Sequence, residues 1–415
     1  MISEEIRLEG HIIDSLILSK VLDEIQTLGG DFRIKKFDVG QKRNDRSEAV
    51  IEVLAPDADQ LATLVAQIVK QGAVIQAPQD ACLVAAEKDG VFPDGFYSTT
   101  NLPTLVRRRD NWLPVGLQEM DCGIKHEPAT ESFRCIPVCH VRKGDQIVVG
   151  HRGIKVIPPE CPRRGSGFEF MSSAVSTEKP KNVIIHNVAV RMREAREAGK
   201  KILLVGGPAI VHTGSGRHVV RLIEAGCLHV LFAGNALATH DLEQALYGTS
   251  LGIHMDRAIP ADAGHEHHLR AINTIRRCGS IRAAVEAGVV TSGIMHACIK
   301  HGVDFVLAGS IRDDGPLPEV ITDVLVAQDR MRDRIQAGDI GFALMVATTL
   351  HSVATGNLLP AGIPVACVDI SPATVTKLAD RGSFQTVGIV TDVEPFLREL
   401  LHHLDLDAGE KAVQP

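Results

Sequence analysis

Residues 202–243 read ILLVGGPAIVHTGSGRHVVRLIEAGCLHVLFAGNALATHDLE. An apolar run ends in Gly206-Gly207, a Gly-x-Gly turn follows at Gly214–Gly216, and a helical stretch leads to a second apolar run closed by Gly234-Asn235. Strand, phosphate-sized loop, helix, strand and polar loop in that order suit a nucleotide held at the carboxyl ends of parallel strands. The spacing is not G-x-G-x-x-G, so the rest of the chain must decide what is bound.

Around this stretch the patterning divides the chain into three. Residues 1–80 read β-α-β-β-α-β, with apolar residues at helical spacing from Ser15 to Leu28 and a helix opened by Asp57, which is the order of a ferredoxin-like α+β domain. Residues 81–178 form a small β-rich domain, where Gly and Pro are frequent and short strands stand out at Cys82, Leu105, Gln146 and Ile154. Residues 179–405 alternate helix and strand, which predicts a doubly wound parallel sheet. One helix is expected from about Leu317 to Gln336.

Composition narrows the partners. Lys and Arg total 44 against 51 Asp and Glu, a net charge of −7, and no basic block is interleaved with aromatics, so no nucleic acid and no anionic membrane is expected. No apolar run reaches spanning length. The N-terminus is charged and the nine cysteines are scattered, which suits free thiols in the cytoplasm.

In an open parallel sheet the ligand lies where strands end, so those ends carry the chemistry. They read Gly206-Gly207-Pro208, Gly234-Asn235-Ala236, Gly309-Ser310 through Gly315, Thr348-Thr349 with His351, Asp369 with Ser371, and Thr391-Asp392. Any one of these has an ordinary explanation as a helix cap. Six together point to a polar ligand. Asp369 is the most specific: an acid at a strand end can accept both ribose hydroxyls and repels a 2′-phosphate, favouring NAD over NADP. The candidate cofactor contacts are Asn235, Ala236, Asp256, Ser310, Asp369, Thr391 and Asp392. Arg270 and Asn273, three apart on a helix, and Glu169 are candidate substrate contacts, Arg being suited to a carboxylate. Lys179 is a candidate acid or base, and Asp121 a holder of a cationic amine. Cys135, Cys139 and His140 have ligand-like spacing, but no second tight pair completes a four-ligand set, and Gly264–His268 also reads as a polar loop capping the helix that follows, so no metal is expected.

Long stretches such as DGVFPDGFYSTTNLPT, EMDCGI, FEFMSSAVSTEKP, GPAIVHTGSG, LFAGNALATHDLE, VLAGSIRDDGPLPEVITDV and CVDISPATVTKLADRGS resemble the archaeal-type ornithine cyclodeaminases. They are similar too to the C-terminal part of cyanobacterial bifunctional arginine dihydrolase/ornithine cyclodeaminases, and the early segment resembles the lysine-ketoglutarate reductase/saccharopine dehydrogenase domain. The resemblance implies an NAD-binding sheet like that of deoxyhypusine synthase, with NAD held tightly, which accounts for the absent glycine fingerprint. It implies conversion of L-ornithine to L-proline and ammonia through hydride transfer to and from a recycled NAD, in a homo-oligomer. An NAD-dependent dehydrogenase of another amino acid or amine, and a non-catalytic NAD-binding sensor, stay open as alternatives.

Overall fold

A computed structural model of the chain describes residues 1–13, 15–41, 45–75, 79–157, 181–255, 257, 259–261, 264–313, 315–380 and 386–406. They fall into two compact units, Met1–Glu169 with Leu359–Gly362, and Phe170–Leu358 with Ile363–Pro415.

The first unit opens with β1 (Ile2–Gly10), α1 (Ile17–Thr27), β2 (Asp31–Asp38), β3 (Ser47–Ala55), α2 (Ala58–Lys70) and β4 (Val74–Ile75). The strands pair antiparallel in the order β2-β3-β1-β4, the ferredoxin-like arrangement expected. The helices form where the apolar spacing demands: α1 buries Ile17, Val21 and Ile25, and α2 buries Leu61, Leu64, Val65, Ile68 and Val69. The Asp57 carboxylate accepts from Gln60 N at 2.8 Å and so starts α2.

Seven short strands follow: β5 (Cys82–Ala85), β6 (Thr104–Arg108), β7 (Asn111–Gly116), β8 (Gly123–Glu127), β9 (Ser132–Ile136), β10 (Gln146–Val149) and β11 (Ile154–Val156). They form one sheet in the order β11-β6-β7-β9-β8-β10-β5, antiparallel except for β7 beside β9. Both sheets of this unit drain into one buried cluster that runs from Ile6 and Ile51 through Leu64 to Ile124 and Phe133.

The second unit begins with α3 (Lys181–Glu197), β12 (Lys201–Gly206), α4 (Ala209–His212), α5 (Gly216–Glu224), β13 (Val230–Gly234) and α6 (Asn235–Tyr247). A two-stranded ribbon, β14 (Thr249–Ser250) with β15 (Ile253–His254), precedes α7 (His267–Cys278), α8 (Ile281–Glu286) and α9 (Ile294–His301). Then come β16 (Asp304–Ala308), β17 (Val320–Ile321), α10 (Val324–Gln336), β18 (Ile340–Val346), α11 (Thr349–Leu358), β19 (Val365–Asp369), α12 (Pro372–Asp380), β20 (Thr386–Val390) and α13 (Val393–His403). Seven parallel strands lie in the order β17-β16-β13-β12-β18-β19-β20. Helices cover both faces, which is why β12 and β18 are apolar almost throughout rather than alternating. The helix expected from Leu317 begins instead at Val324. Asp323 fixes that start by accepting from Leu325 N at 2.9 Å and Val326 N at 3.1 Å, and the residues just before it pair as β17. Among the described residues no helix is long and apolar enough to cross a membrane.

Candidate functional site

The strand order reverses between β12 and β18, which hydrogen-bond to each other while their continuations run in opposite directions across the sheet. A crevice outside the carboxyl ends at such a point is where open α/β sheets take ligands. Its floor is bare backbone. Gly207 N donates to Val346 O and Ala347 N to Val368 O, both at 2.9 Å, and a methyl group on Gly207 would overlap the Ala347 carbonyl oxygen. Ala347 itself sits at φ 53°, a left-handed turn that ends β18 abruptly.

On one side of this floor, β13 passes directly into α6. Gly234 caps that helix with no side-chain hydrogen bond, and among the described residues no side chain accepts from the first N–H groups of Asn235, Ala236 and Leu237. The Asn235 amide faces elsewhere. Its Oδ1 accepts from Leu317 N (3.1 Å) and the Thr239 hydroxyl (3.2 Å), and its Nδ2 donates to Asp313 Oδ1 (3.0 Å). Asp313 Oδ2 in turn accepts from Ser310 N at 2.7 Å. Asn235 therefore clamps the loop after β16, and Asn235, Ala236 and Ser310 converge. The groups α6 can offer an anion are main-chain N–H, not the amide.

On the other side, Asp369 ends β19, 8% exposed. Its Oδ1 accepts from Ser371 N at 2.8 Å, and its main-chain oxygen accepts from Thr391 N at 3.2 Å, so Asp369 and Thr391 are neighbours. Asp392 caps α13 by accepting from Val393 N at 2.6 Å. The Thr349 and Thr374 hydroxyls bond at 2.9 Å and tie α11 to α12. His351, in the first turn of α11, leans over the floor: a Cβ on Gly234 would lie 3.4 Å from its Cε1. Burial pushes this imidazole below its ordinary value.

The remaining candidates are scattered. Arg270 donates through Nε (3.0 Å) and Nη2 (2.6 Å) to Glu266, an exposed pair on α7, and Asn273 is exposed on the same helix. Asp121, at φ 62°, is exposed in a loop of the first unit. The buried acid of that loop is Glu119. Two motif segments close around it: the Thr99 hydroxyl donates to Glu119 O (2.7 Å) and accepts from Cys122 N (3.0 Å), while the Cys122 thiol donates to Glu119 Oε1 (3.0 Å). Lys179, Glu169 and Asp256 lie outside the described residues.

A buried polar network beside the α4–α6 contact escaped the sequence reading. Glu243, fully buried, accepts from His240 Nδ1 (2.8 Å), the Thr249 hydroxyl (2.9 Å) and Gly252 N (2.9 Å). Thr249 also meets His267 Nδ1 at 2.8 Å, and His212 Nδ1 meets the Ser250 hydroxyl at 2.8 Å. The His212 and His240 rings sit edge to face at 4.7 Å. Burial pushes Glu243 up, but its three donors outweigh this and hold it below the usual carboxylate value. Burial, and then His240, drive His212 down to about 4. Asp241 accepts from Ile294 N (2.7 Å) and Met295 N (2.8 Å) to cap α9, and burial raises it to about 6. The available signal was the run Thr239-His240-Asp241-x-Glu243, with Leu237, Ala238 and Leu242 interleaved. No three His, Cys, Asp or Glu side chains converge as a metal site among the described residues.

Comparison with known proteins agrees with this architecture. Residues 186–400 match the family model described as arginine dihydrolase ArgZ-like, C-terminal, Rossmann fold. Residues 103–185 match the first region of the same C-terminal part, and 3–102 the LOR/SDH bifunctional enzyme conserved region. The chain is 53% identical over 405 residues to an ornithine cyclodeaminase of Methanothermobacter thermautotrophicus, covering 97% of this chain and 98% of that protein. The crystal structure of the cyanobacterial arginine dihydrolase ArgZ without ligand superposes with a TM-score of 0.84 at 38% identity, over 97% of this chain and 58% of that one. A ternary complex of AgrE with ornithine and NAD+ matches at 40% identity and a TM-score of 0.53, over 97% and 57% of the two chains.

Proposed function

Since the chain belongs to the archaeal-type ornithine cyclodeaminase family, whose C-terminal half is the ArgZ-like Rossmann region, we propose that it converts L-ornithine to L-proline and ammonia with NAD as a recycled cofactor. The observation that carries this reading is the pair of unlike walls on the switch-point crevice: uncapped N–H groups of α6 on one side and the Asp369 carboxylate on the other. A dinucleotide needs that pairing, N–H donors for its pyrophosphate and an acid for a ribose.

Bound NAD accepts hydride from Cα of ornithine and returns it to the cyclic imine, so the reaction has no net redox change. The chain's own work is to hold, orient and keep dry. Asp369 has one oxygen engaged by Ser371 N, which leaves the other for a ribose hydroxyl and sets a negative charge where NADP would carry its extra phosphate. Asp369→Ala is expected to weaken NAD binding by about 1.5–3 kcal/mol, roughly 10- to 150-fold. Calorimetric titration that finds the wild-type affinity would remove Asp369 from the site.

The activity test is direct. Purified protein given L-ornithine should release proline and ammonia in equal amounts with no accumulation of NADH. Build-up of NADH would instead identify a dehydrogenase, and NAD binding without turnover of any diamino acid a sensor. Assembly into a homo-oligomer belongs to the same proposal. Ile311, Leu350 and Ile370 ring the strand ends at 105, 84 and 73% exposure, an apolar rim that a second subunit would cover. The eight described cysteines are all free, which supports the reducing cytoplasm as its compartment.

A further inference from the structure

We infer that His351 is the proton-transfer group at the reacting carbon: it takes a proton from the α-ammonium of bound ornithine and returns it to the α-nitrogen as that leaves as ammonia. The inference rests on the reaction proposed above and adds the residue that serves it.

Position comes first. The reacting carbon must lie over the switch point, where a nicotinamide across the crevice would present its face. His351 enters from β18, on one side of that point, and its ring reaches Gly234 at the end of β13, on the far side of β12. It thus overhangs Gly206-Gly207, which contribute no side chains. A Cβ at Gly234 would lie 3.4 Å from the ring, an ordinary contact distance, so the imidazole packs against the start of α6.

Availability comes second. Asp369 is engaged by Ser371 N, Asp313 by Ser310 N and Asn235, and Asp392 by Val393 N. His212 is bonded to Ser250 and His240 to Glu243. His351 makes no hydrogen bond or ion pair with any described residue. The ring is only partly buried, and neither of its nitrogens is sealed from solvent without a partner, which leaves the imidazole open to a ligand in the crevice. Its burial favours the neutral form, and a neutral imidazole is a base ready to accept a proton.

The chemistry balances. Loss of one proton from the α-ammonium to His351 frees the nitrogen lone pair, which forms the C=N bond as hydride leaves Cα with its electron pair. The δ-ammonium gives up a proton to solvent and adds to Cα through the lone pair so freed, and the ring nitrogen then loses one of its two protons to solvent, which restores its lone pair. The α-nitrogen, reprotonated by the His351 imidazolium, departs as ammonia while the ring nitrogen forms the new C=N bond. Return of the same hydride completes proline, so no external oxidant or reductant is consumed.

The test begins with wild-type turnover of ornithine, which alone decides the reaction. If that fails, the reaction is at fault and not the residue. His351→Ala and His351→Gln are then compared for kcat, KM for ornithine and NAD affinity. The expected result is a kcat lowered on the order of 10²- to 10⁴-fold, with KM and NAD affinity within a few-fold of wild type. Added imidazole should restore part of the activity of His351→Ala in a concentration-dependent way, which a merely structural histidine would not allow. The glutamine variant keeps a polar side chain of similar length, so it answers the question should the alanine variant not fold. A kcat within tenfold of wild type overturns the assignment. So does a loss of activity that tracks weakened NAD binding and ignores imidazole. If His240→Gln rather than the His351 variants shows the loss with intact NAD affinity, the role passes to the His240–Glu243 pair.

Discussion

Glu243→Ala is expected to destabilise the second unit by about 3–5 kcal/mol, because it removes a buried carboxylate on which three hydrogen-bond donors depend. Three donors lose their acceptor together: the His240 ring, the Thr249 hydroxyl and Gly252 N. These belong to α6, to β14 and to the turn after it, so the excursion between α6 and α7 loses its anchor. Scanning calorimetry should show a lower transition temperature, and proteolysis should find residues 249–266 first. The pH dependence has a definite sign. Glu243 is held below its ordinary value, so its contribution is present above the unfolded carboxylate value and is lost as pH falls through the folded one. The gap between wild type and Glu243→Gln should therefore close at acid pH. A gap that stays constant from neutral to acid pH would show that the carboxylate charge is not what stabilises the network.

Gly207→Ala tests the floor of the crevice. The added methyl group overlaps the Ala347 carbonyl oxygen, and the backbone is pinned on both sides, by Gly207 N to Val346 O and by Ala347 N to Val368 O, each at 2.9 Å. Separating β12 from β18 there costs about 1–3 kcal/mol, and NAD affinity should fall at least roughly tenfold as the walls move. Gly216→Ala is the matched control. Its methyl group would sit 3.7 Å from Ile294 in ordinary contact, so both stability and NAD affinity should stay close to wild type. Equal effects at the two glycines would mean that the overlap at Gly207 is not what shapes the site. Gly214 has its own reason to be glycine, a φ of 75° at the turn into α5.

Much of this molecule was legible because its signals are local. The helix opened by Asp57 and the apolar runs of β12, β13, β18 and β19 need only neighbours in sequence to be read. So did the polar strand ends, since a parallel sheet brings all such ends to one edge whatever the strand order. What escaped depends on partners far along the chain. β7 carries Pro114, β8 and β9 mix polar with apolar residues, and their pairing partners decide that they are strands. β17, two residues long, exists because β16 lies beside it. Side-chain direction was equally hidden. Asp121 and Glu119 sit two apart, yet one is exposed and the other is sealed under Thr99 and Cys122. Arg270 has the chemistry to bind a carboxylate, and the nearest one is Glu266, a turn earlier on the chain.

The reversal of strand order also governs how the protein assembles. β12 and β18 are adjacent in space, but β13, β16, β17 and the helices between them must all be threaded before the two can meet. That seam is the most non-local contact of the sheet, and loop closure makes such contacts late and slow. A ligand laid across it binds only the completed sheet, so it stabilises the finished fold by mass action, about 2.7 kcal/mol at a hundredfold excess over its dissociation constant. A cofactor that is never released would then double as the last clasp on the folded chain, and molecules lacking it would be the ones a protease opens along β12 and β18.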